Sequence, residues 1–248
     1  MRVAVAGGTG LLGSKVAAAL RQSADEVVVL ARSNGVDLLT GEGLPAALDG
    51  VEAVVDCTSR VVRTADDAVR FFGAVARTLQ AGAARVGARR VVTVSVVGVE
   101  KMGGRAHYAG KLAQEETTQS GGVPATILRA TQFHDFGGVL ITRGRKGPFV
   151  PVPIQPVQTV DSRTVAAHLA WLAHGADEGA TVQLAGPQRL TLAEVVRRTA
   201  LARHERVLAV PLWLPGAAER AARKGAALPP AEATVDGPSF DEWLAGQS

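Results

Sequence analysis

His107, Tyr108 and Lys111 place an imidazole, a phenol and an ammonium group within one short segment of the chain. The segment 107–120 has helical spacing, and residues three or four apart on a helix lie on one face. An ammonium group favours the ionised form of a nearby phenol, and an imidazole of ordinary pKa, about 6.5, exchanges protons near neutrality. The pattern therefore predicts proton chemistry by His107 or Tyr108 beside a fixed positive charge. The alternative is a loop-to-helix junction with an inert histidine and a packing tyrosine.

Apolar strands alternate with helical segments over the first half of the chain. Strands are predicted at 2–8, 26–32, 35–39, 52–59, 89–99 and 124–131, and helices at 12–23, 42–50, 66–86 and 107–120. Fully apolar strands joined by crossover helices are typical of a buried parallel sheet with right-handed connections. The predicted fold class is α/β, a Rossmann-type doubly wound parallel sheet with a small C-terminal substrate lobe.

The pattern loosens after Thr131, where glycine and proline become frequent. A helix is predicted at 163–173, strands at 180–186 and 206–212, and a helix at 191–205 that starts with a capping box of Thr191 and Glu194. We expect residues 1–135 to form the cofactor-binding core. Residues 136–248 are expected to form a small lobe on the same domain, over the carboxyl ends of the sheet and including returning strands.

Composition narrows the function classes. The 248 residues are 47% hydrophobic and 20% charged, enough to bury a sizeable core, and no apolar run approaches the roughly 20 residues that span a bilayer. A single cysteine rules out an intramolecular disulfide, and with no apparent signal peptide we expect a cytoplasmic protein. The net charge is only +4 and the arginines follow helical spacing, so we expect neither nucleic acid nor a membrane as partner. No spacing of histidine, cysteine and acidic residues suggests a metal site.

A glycine-rich turn follows the first predicted strand and opens the first helix. It reads Gly7-Gly8-Thr9-Gly10-Leu11-Leu12-Gly13, a G-x-x-G-x-x-G spacing. A pyrophosphate approaches backbone amides at a helix N-terminus, where a Cβ would hold it off. The placement between strand and helix predicts dinucleotide binding by a set of turn residues: Gly7, Thr9, Gly10, Leu11, Leu12 and Gly13. A purely structural turn is the alternative.

Arg32 stands about 20 residues after these glycines, where an NAD-binding protein usually has a carboxylate. A guanidinium can bind a 2′-phosphate with two hydrogen bonds, whereas a carboxylate would repel it. The sequence therefore favours NADP over NAD, with Ser33 beside Arg32 at the same turn. The alternative is that Arg32 merely caps a surface strand in an arginine-rich chain.

The glycine spacing, the run VTVSVVGV, the Tyr/Lys helix and the run ILRATQFHDF together resemble the extended or atypical short-chain dehydrogenase/reductase superfamily. The string KLAQEE followed by PATILRATQFH resembles its NmrA-like NAD(P)H-binding branch most closely, and the likeness covers about residues 1–165. The resemblance implies a single-chain enzyme or sensor with the cofactor along the strand ends and a small C-terminal substrate lobe.

Site roles follow from this resemblance at matching positions. Asp37 and Leu38 match residues that meet the adenine, although Asp37 alone is equally a loop cap. Cys57 and Thr58 match a backbone segment beside the cofactor ribose, and for the thiol itself a small buried side chain is a better interpretation than a nucleophile. Ser95 matches the hydroxyl that orients the substrate, and Lys111 the lysine that binds the nicotinamide ribose. Thr131, at the end of its predicted strand, completes the cofactor set.

The chain departs from the superfamily at the acid position. The general acid stands four residues before the lysine, where this sequence has His107, and relatives in the branch have tyrosines both four and three before it. Three alternatives follow: acid catalysis by Tyr108 or His107, hydride transfer without either, or no turnover.

The resemblance implies an NADP-dependent oxidoreductase acting on a small apolar or aromatic carbonyl or enone. A non-catalytic NADP-sensing regulatory protein is the alternative, and epimerase or dehydratase chemistry on a nucleotide sugar is disfavoured by the short C-terminal lobe. The sequence leaves a homodimer open.

Overall fold

The computed structural model describes residues 1–176 and 179–247. The predicted lobe at 136–248 thus includes three positions, 177, 178 and 248, that lie outside the described residues. The first part of the chain alternates strands and helices as its pattern predicts. In chain order these elements are β1 (Arg2–Ala6), α1 (Leu11–Gln22), β2 (Glu26–Leu30), α2 (Leu44–Ala47), β3 (Ala53–Asp56), α3 (Ala65–Arg85), β4 (Arg90–Val96), α4 (Ala106–Gln119) and β5 (Ala125–Ala130).

The second part has shorter elements. They are α5 (Phe136–Gly144), β6 (Phe149–Pro153), β7 (Pro156–Val157), α6 (Ser162–Ala173), β8 (Thr181–Ala185), β9 (Leu190–Thr191), α7 (Leu192–Ala202), β10 (Leu208–Leu212), α8 (Ala217–Arg223), β11 (Thr234–Val235) and α9 (Phe240–Ala245). The predicted helix at 191–205 is confirmed, including its capping box, in which Thr191 and Glu194 bond each other's backbone amides.

Seven strands of the described chain form one parallel sheet in the order β11-β8-β5-β4-β3-β1-β2. The predicted Rossmann-type α/β fold is therefore confirmed. The order reverses between β1 and β3, and in such sheets ligands bind at the carboxyl ends beside this reversal. Strands β8 and β11 return from the C-terminal part and extend the sheet beyond β5.

Helices cover both faces of the sheet. On one face α1 and α6 pack together, with Val16, Leu20 and Leu169 in the same buried cluster as the strand valines. On the other face α3 lies against α4, and Leu79 of α3 belongs to a second buried cluster with Leu30 and Val54. The all-apolar strands follow from this burial, since both faces of a doubly wound sheet are covered.

The predicted strand at 35–39 is wrong. Gly35 has a left-handed backbone conformation with φ of 75°, and Asp37 Oδ1 accepts hydrogen bonds from the amides of Leu39 (2.7 Å) and Thr40 (3.3 Å). This side-chain-to-backbone turn competes with strand pairing, so β2 is the edge of the sheet.

A small lobe forms beside the sheet from two strand pairs and three helices. Strand β10 pairs with β6 in parallel, and β7 pairs with β9 in antiparallel fashion. Its buried cluster unites Ile141 of α5, Val195 of α7 and Phe240 of α9. Across residues 1–176 and 179–247, none of the helices has the length and apolar character needed to span a membrane.

Candidate functional site

The carboxyl ends of β1 to β5 gather most of the predicted site residues along one edge of the sheet. We call the part formed by the segments after β2 and β3 the β2–β3 side, and the part formed by the ends of β4 and β5 with the start of α4 the β4–β5 side. The glycine turn after β1 lies on the β2–β3 part of the sheet, because β1 is the strand between β2 and β3.

The glycine turn has the backbone geometry that the sequence predicts. Gly7 has a φ of 70°, and a Cβ there would lie 3.0 Å from the Cys57 carbonyl oxygen. A Cβ on Gly13 would lie 2.2 Å from the Gly7 carbonyl oxygen, so the first turn of α1 can approach the strand only with glycine at this position.

The N-terminus of α1 is open to an anion. Gly10 provides no side-chain cap, and the first turn contains no acidic residue. Thr9, Gly10 and Leu11 are exposed, whereas Leu12 is buried in the core cluster. Leu12 can therefore contribute its backbone amide but not its side chain. Uncapped amides at a helix N-terminus form a binding site for phosphate groups.

The β2–β3 side is exposed and positively charged. Arg32 and Ser33 form a single exposed turn after β2, and the Arg32 side chain makes no hydrogen bond or ion pair with any described residue. A cleft of about 490 Å³ opens between the segment after β2 and the segment after β3. Its lining includes Leu39, Arg60, Val61, Val62, Arg63 and Phe71.

Sequence reasoning did not identify this cleft. The Arg60 guanidinium lies 5.2 Å from the centre of the Phe71 ring, a cation–π contact, and Val61 is 73% exposed. Exposed valine and leucine side chains in a cleft offer an apolar surface to a flat ring. The available signal in the sequence was the pair Arg60 and Arg63 after an apolar strand. The cleft does not include Ser95, Lys111 or Tyr108.

The side chains of Asp37 and Cys57 interact with other parts of the protein and are not free to bind a ligand. Asp37 caps its own turn through Oδ1, which supports the loop-cap interpretation, while Leu38 is half-buried beside it. Cys57 is buried, and that burial raises the pKa of its thiol well above the ordinary range. The thiol is therefore protonated and a poor nucleophile, in agreement with a small buried side chain.

The β4–β5 side contains buried hydroxyl groups without partners. Ser95 in β4 and Thr131 after β5 are 6% and 2% exposed, and among the described residues neither Oγ of Ser95 nor Oγ1 of Thr131 has a hydrogen-bond partner. Gln132 Oε1 is likewise unpaired. Buried polar groups are nearly always paired, so three unpaired oxygens at adjacent strand ends indicate a place where a ligand supplies the missing bonds.

Lys111 is buried at the junction of β3, β4 and α4. Its ammonium donates to the carbonyl oxygens of Thr58 (3.2 Å) and Val94 (3.0 Å) and to Gln114 Oε1 (2.9 Å). Burial lowers the pKa of Lys111, and the Asp56 carboxylate opposes this shift. Close packing of α4 on α3 sets this position, because a Cβ on Gly110 would lie 2.5 Å from the Phe72 ring.

Asp56 and Gln114 complete a polar network around this cation. Gln114 Nε2 donates to Asp56 Oδ2 (2.6 Å). Asp56 Oδ1 accepts from the amide (2.9 Å) and the hydroxyl (2.7 Å) of Thr58. Sequence reasoning overlooked both residues. Their signals were a carboxylate ending a fully apolar strand, and a glutamine three residues after Lys111 on the same helix face.

His107 and Tyr108 face different neighbours. The His107 ring stands edge-on to Phe72 of α3, with 5.8 Å between ring centres. Although the residue as a whole is exposed, burial of its ring lowers the pKa of His107 to about 4, and the positive charge of Lys111 acts in the same direction. His107 is therefore neutral at pH 7 and is a weaker acid-base group than its ordinary pKa implies.

Tyr108 is 7% exposed, and its hydroxyl oxygen accepts a hydrogen bond from Gln132 Nε2 (3.2 Å). Burial raises the pKa of Tyr108, and the positive charge of Arg105 opposes the shift only in part. The phenol therefore keeps its proton at neutral pH. Because Gln132 occupies a lone pair of the hydroxyl, the O–H bond itself is available to donate to a ligand.

The segment around α8 covers the start of α4. Arg105 donates to both carboxylate oxygens of Glu219 at 2.8 and 2.7 Å, and to Gln155 Oε1 at 3.0 Å. Met102, Tyr108 and Ala222 share a small buried cluster. The surroundings of the phenol are thus apolar, and the adjacent arginine is already neutralised by its glutamate.

No group of three or more histidine, cysteine, aspartate or glutamate side chains within 1–176 and 179–247 is placed to hold a metal ion. The described donors instead suit a dinucleotide: uncapped amides and a free arginine at one end, unpaired hydroxyls and a buried ammonium at the other.

Solved structures of known proteins share this fold. An NADPH-dependent quinone oxidoreductase from Escherichia coli, complexed with NADPH, superimposes with a TM-score of 0.75 at 17% identity, covering 99% of each chain. A short-chain dehydrogenase/reductase superfamily protein from Agrobacterium tumefaciens with bound NAD gives 0.71 at 19% identity, over 99% of this chain and 95% of that one. Triphenylmethane reductase from Citrobacter sp., complexed with NADP(H), gives 0.69 at 18% identity, over 94% and 93%.

No curated protein matches the chain significantly. Residues 3–133 match the sequence profile of the NAD dependent epimerase/dehydratase family, which is more than half of the 248 residues. The resemblance to the extended short-chain dehydrogenase/reductase superfamily is thereby confirmed. The chain belongs to the NAD dependent epimerase/dehydratase family.

Proposed function

We propose that this protein is an NADPH-dependent oxidoreductase that reduces a small apolar or aromatic carbonyl, quinone or enone. The observation that carries the proposal is the set of unpaired buried oxygens of Ser95, Thr131 and Gln132 at the ends of β4 and β5, with the Lys111 ammonium bonded to the carbonyl oxygen of Val94, the residue before Ser95. They lie on the same sheet edge as an uncapped helix N-terminus. One end of this edge is suited to phosphates and the other to a reacting group.

NADPH supplies the hydride when bound. The amides of Leu11 and Leu12 at the start of α1 would hold its pyrophosphate, and Arg32 would bind the 2′-phosphate because its guanidinium is exposed and has no partner in the described chain. The cleft beside Leu39 and Val61 would accept the adenine. Lys111 would bind the nicotinamide ribose, with Cys57 and Thr58 beside it.

The acid role falls to Tyr108 rather than to His107. Tyr108 holds its proton in an apolar setting and is oriented by Gln132, whereas His107 is neutral and packs toward α3. Ser95 would orient the substrate oxygen by donating a hydrogen bond. A general acid contributes about 10²–10⁴-fold in rate, so this assignment has a large measurable consequence.

A neutral substrate fits the surroundings of Tyr108. Arg105 acts electrostatically on Tyr108, but Glu219 binds it through two hydrogen bonds, so it is not free to bind a carboxylate substrate. Met102, Ala222 and Ala227 provide apolar contacts around the phenol. One structural neighbour is a quinone oxidoreductase and another a triphenylmethane reductase associated with triphenylmethane dyes, which supports an aromatic substrate class. A cytoplasmic location, in keeping with a lone buried cysteine, is part of the proposal.

The second candidate is a non-catalytic NADP sensor. It is favoured by one observation: the acid position of the superfamily holds His107, whose ring contacts Phe72 of α3. A protein of this kind would bind NADPH and change its affinity for a protein partner without turnover.

NADPH oxidation distinguishes the two candidates. NADPH fluorescence should decay in the presence of a quinone, an aromatic ketone or an enone, and Lys111→Ala should lower both kcat/KM and NADPH affinity. Lys146→Ala, an exposed position in the small lobe, is the matched control and should leave both unchanged. NADPH binding without oxidation across a broad panel would refute the reductase and favour the sensor.

A further inference from the structure

Gln114 lies between two buried charges of opposite sign. Its carbamoyl oxygen accepts from Lys111 Nζ at 2.9 Å, and its nitrogen donates to Asp56 Oδ2 at 2.6 Å and, more weakly, to Thr58 Oγ1 at 3.3 Å. Lys111, Gln114 and Asp56 are at most 4% exposed. We call the chain of contacts from Lys111 through Gln114 to Asp56 the amide bridge.

Each member of the amide bridge has a polar partner. An ammonium has three N–H donors, and Lys111 directs them to Gln114 and to the carbonyl oxygens of Thr58 and Val94. A ribose hydroxyl would take the place of one of the two carbonyl oxygens, while the bond to Gln114 is kept. The orientation of the Gln114 amide follows from its neighbours, because its oxygen must face the ammonium and its NH₂ group the carboxylate. A leucine could serve neither neighbour, and an ionised glutamate would serve only the lysine.

The spacing of the charges is the main consequence. Opposite charges attract strongly in a buried, weakly polarisable environment, so without a spacer the Lys111 ammonium would be drawn toward Asp56 at the end of β3. Its contact with the Val94 carbonyl on β4 would then weaken. Ser95, with its unpaired hydroxyl, directly follows Val94.

We propose that Gln114 is a positioning residue, which holds the Lys111 ammonium against the end of β4 and keeps it from pairing directly with Asp56. This inference rests on the proposed function, in which Lys111 binds the nicotinamide ribose. Gln114 then affects how tightly the nicotinamide half of the cofactor is bound, whereas binding of the adenosine half on the β2–β3 side does not depend on it.

Glutamate at position 114 provides a switchable substitute. A protonated carboxyl group has the shape of an amide, with a carbonyl oxygen for Lys111 and an O–H for Asp56, whereas the ionised form repels Asp56 and binds Lys111 directly. Burial and the Asp56 carboxylate both raise the folded-state pKa of a carboxyl group at this position, against the opposite effect of the Lys111 ammonium. The stabilising effect of the carboxyl group is therefore present at low pH and is lost as the pH rises through that folded-state value. The titratable groups around this position are Asp56, Cys57, His107, Lys111 and Glu115, the last paired with Arg129.

The experiment compares two ligands in the full-length protein by calorimetry at pH 6 and pH 9. NADPH reaches both sides of the site, whereas adenosine 2′,5′-bisphosphate reaches only the β2–β3 side. In Gln114→Leu we expect NADPH affinity to fall about tenfold at both pH values, the usual scale for losing a hydrogen bond to a charged group. In Gln114→Glu we expect near-native affinity at pH 6 and a loss of about tenfold at pH 9. Bisphosphate affinity should change less than about twofold in either variant.

Melting of the ligand-free proteins gives a second readout. Gln114→Glu should lose thermal stability from pH 6 to pH 9 relative to Gln119→Glu, a control at an exposed position of the same helix. Equal losses of NADPH and bisphosphate affinity, or no loss of either, would overturn the positioning role. If the native protein failed to bind NADPH, the proposed function would fail. Separately, the amide bridge would be overturned if Gln114→Glu and Gln119→Glu lost the same thermal stability between pH 6 and pH 9.

Discussion

The two sides of the candidate site differ in how they are exposed and how their polar groups are satisfied. On the β2–β3 side the charged groups are arginines on exposed segments between the strands and helices, with Arg32 unpaired in the described chain and the cleft open to solvent. On the β4–β5 side the groups are buried, and Lys111 makes three hydrogen bonds while the hydroxyls of Ser95 and Thr131 have no partner among the described residues.

This difference implies that the two sides have different effects on binding and catalysis. Exposed charges on turns interact through solvent and contribute modestly to binding, so changes on the β2–β3 side should alter affinity and cofactor choice. Buried groups on rigid elements hold their positions and act in a medium of low polarity, so changes on the β4–β5 side should alter the rate of reaction and, at Lys111 and Gln114, also the affinity for the nicotinamide half of the cofactor.

The largest expected effect tests the β4–β5 side. Tyr108→Phe removes one buried hydroxyl and keeps the ring packing, and kcat for NADPH oxidation should fall by at least about 100-fold, the low end for a general acid. NADPH affinity should stay within about threefold, since the phenol is not assigned to the cofactor. Stopped-flow kinetics and calorimetry measure the two quantities.

Position 107 is the control for this prediction. His107→Tyr should not raise kcat, because the side chain at this position packs toward Phe72. A gain in rate for His107→Tyr together with an unchanged rate for Tyr108→Phe would reverse the assignment of the two residues.

A smaller effect is expected on the β2–β3 side. Arg32→Asp should remove a preference for NADPH over NADH of about tenfold, or 1.4 kcal/mol, because a carboxylate there repels the 2′-phosphate. The maximal rate at saturating cofactor should be unchanged. Arg197→Asp, the same charge change on an exposed face of α7, should leave the ratio of the two affinities as it is. A change in kcat equal to the change in affinity would remove the distinction between the two sides.

The smallest effect concerns acid stability. The lowered pKa of His107, about 4, means that the unfolded state takes up its proton first as the pH falls from about 6.5 toward 4. Stability linked to His107 is therefore full above pH 6.5 and is lost over this range. His107→Gln should lessen the fall in Tm between pH 7 and pH 4.5 by roughly 1–3 °C, since solvent on the exposed side screens the effect. Differential scanning calorimetry at both pH values measures this difference. If the native protein and His107→Gln showed the same fall in Tm, the prediction would be wrong.

Features encoded within one short segment could be predicted from the sequence. The glycine turn requires close backbone approach at Gly7 and Gly13, and Lys111 lies on α4, the helix that follows the apolar strand β4. Residue type and position were therefore sufficient to predict where these residues lie in the fold. The apolar strands β1 to β5 were equally clear because both faces of the sheet are covered.

Features that depend on contacts between distant segments could not be predicted. The assignment of His107 and Tyr108 depends on which neighbours α4 meets, and these are Phe72, 35 residues earlier, and Gln132, 24 residues later. The segment 35–39 has strand composition, yet the Asp37 side chain bonds the following amides more readily than a neighbouring strand could. The amide bridge joins β3 to α4 across 58 residues.

Cys57 gives this molecule a built-in reporter of local opening. It is the single cysteine of the chain, and it is buried. Its backbone also packs closely on the glycine turn, because a Cβ on Gly7 would lie 3.0 Å from the Cys57 carbonyl oxygen. Because the thiol is buried, a thiol reagent reaches it when the structure around the end of β3 opens, so the labelling rate at low denaturant measures the free energy of that local opening. A phosphate-bearing ligand that holds the turn closed should slow labelling in proportion to its affinity, without any engineered probe.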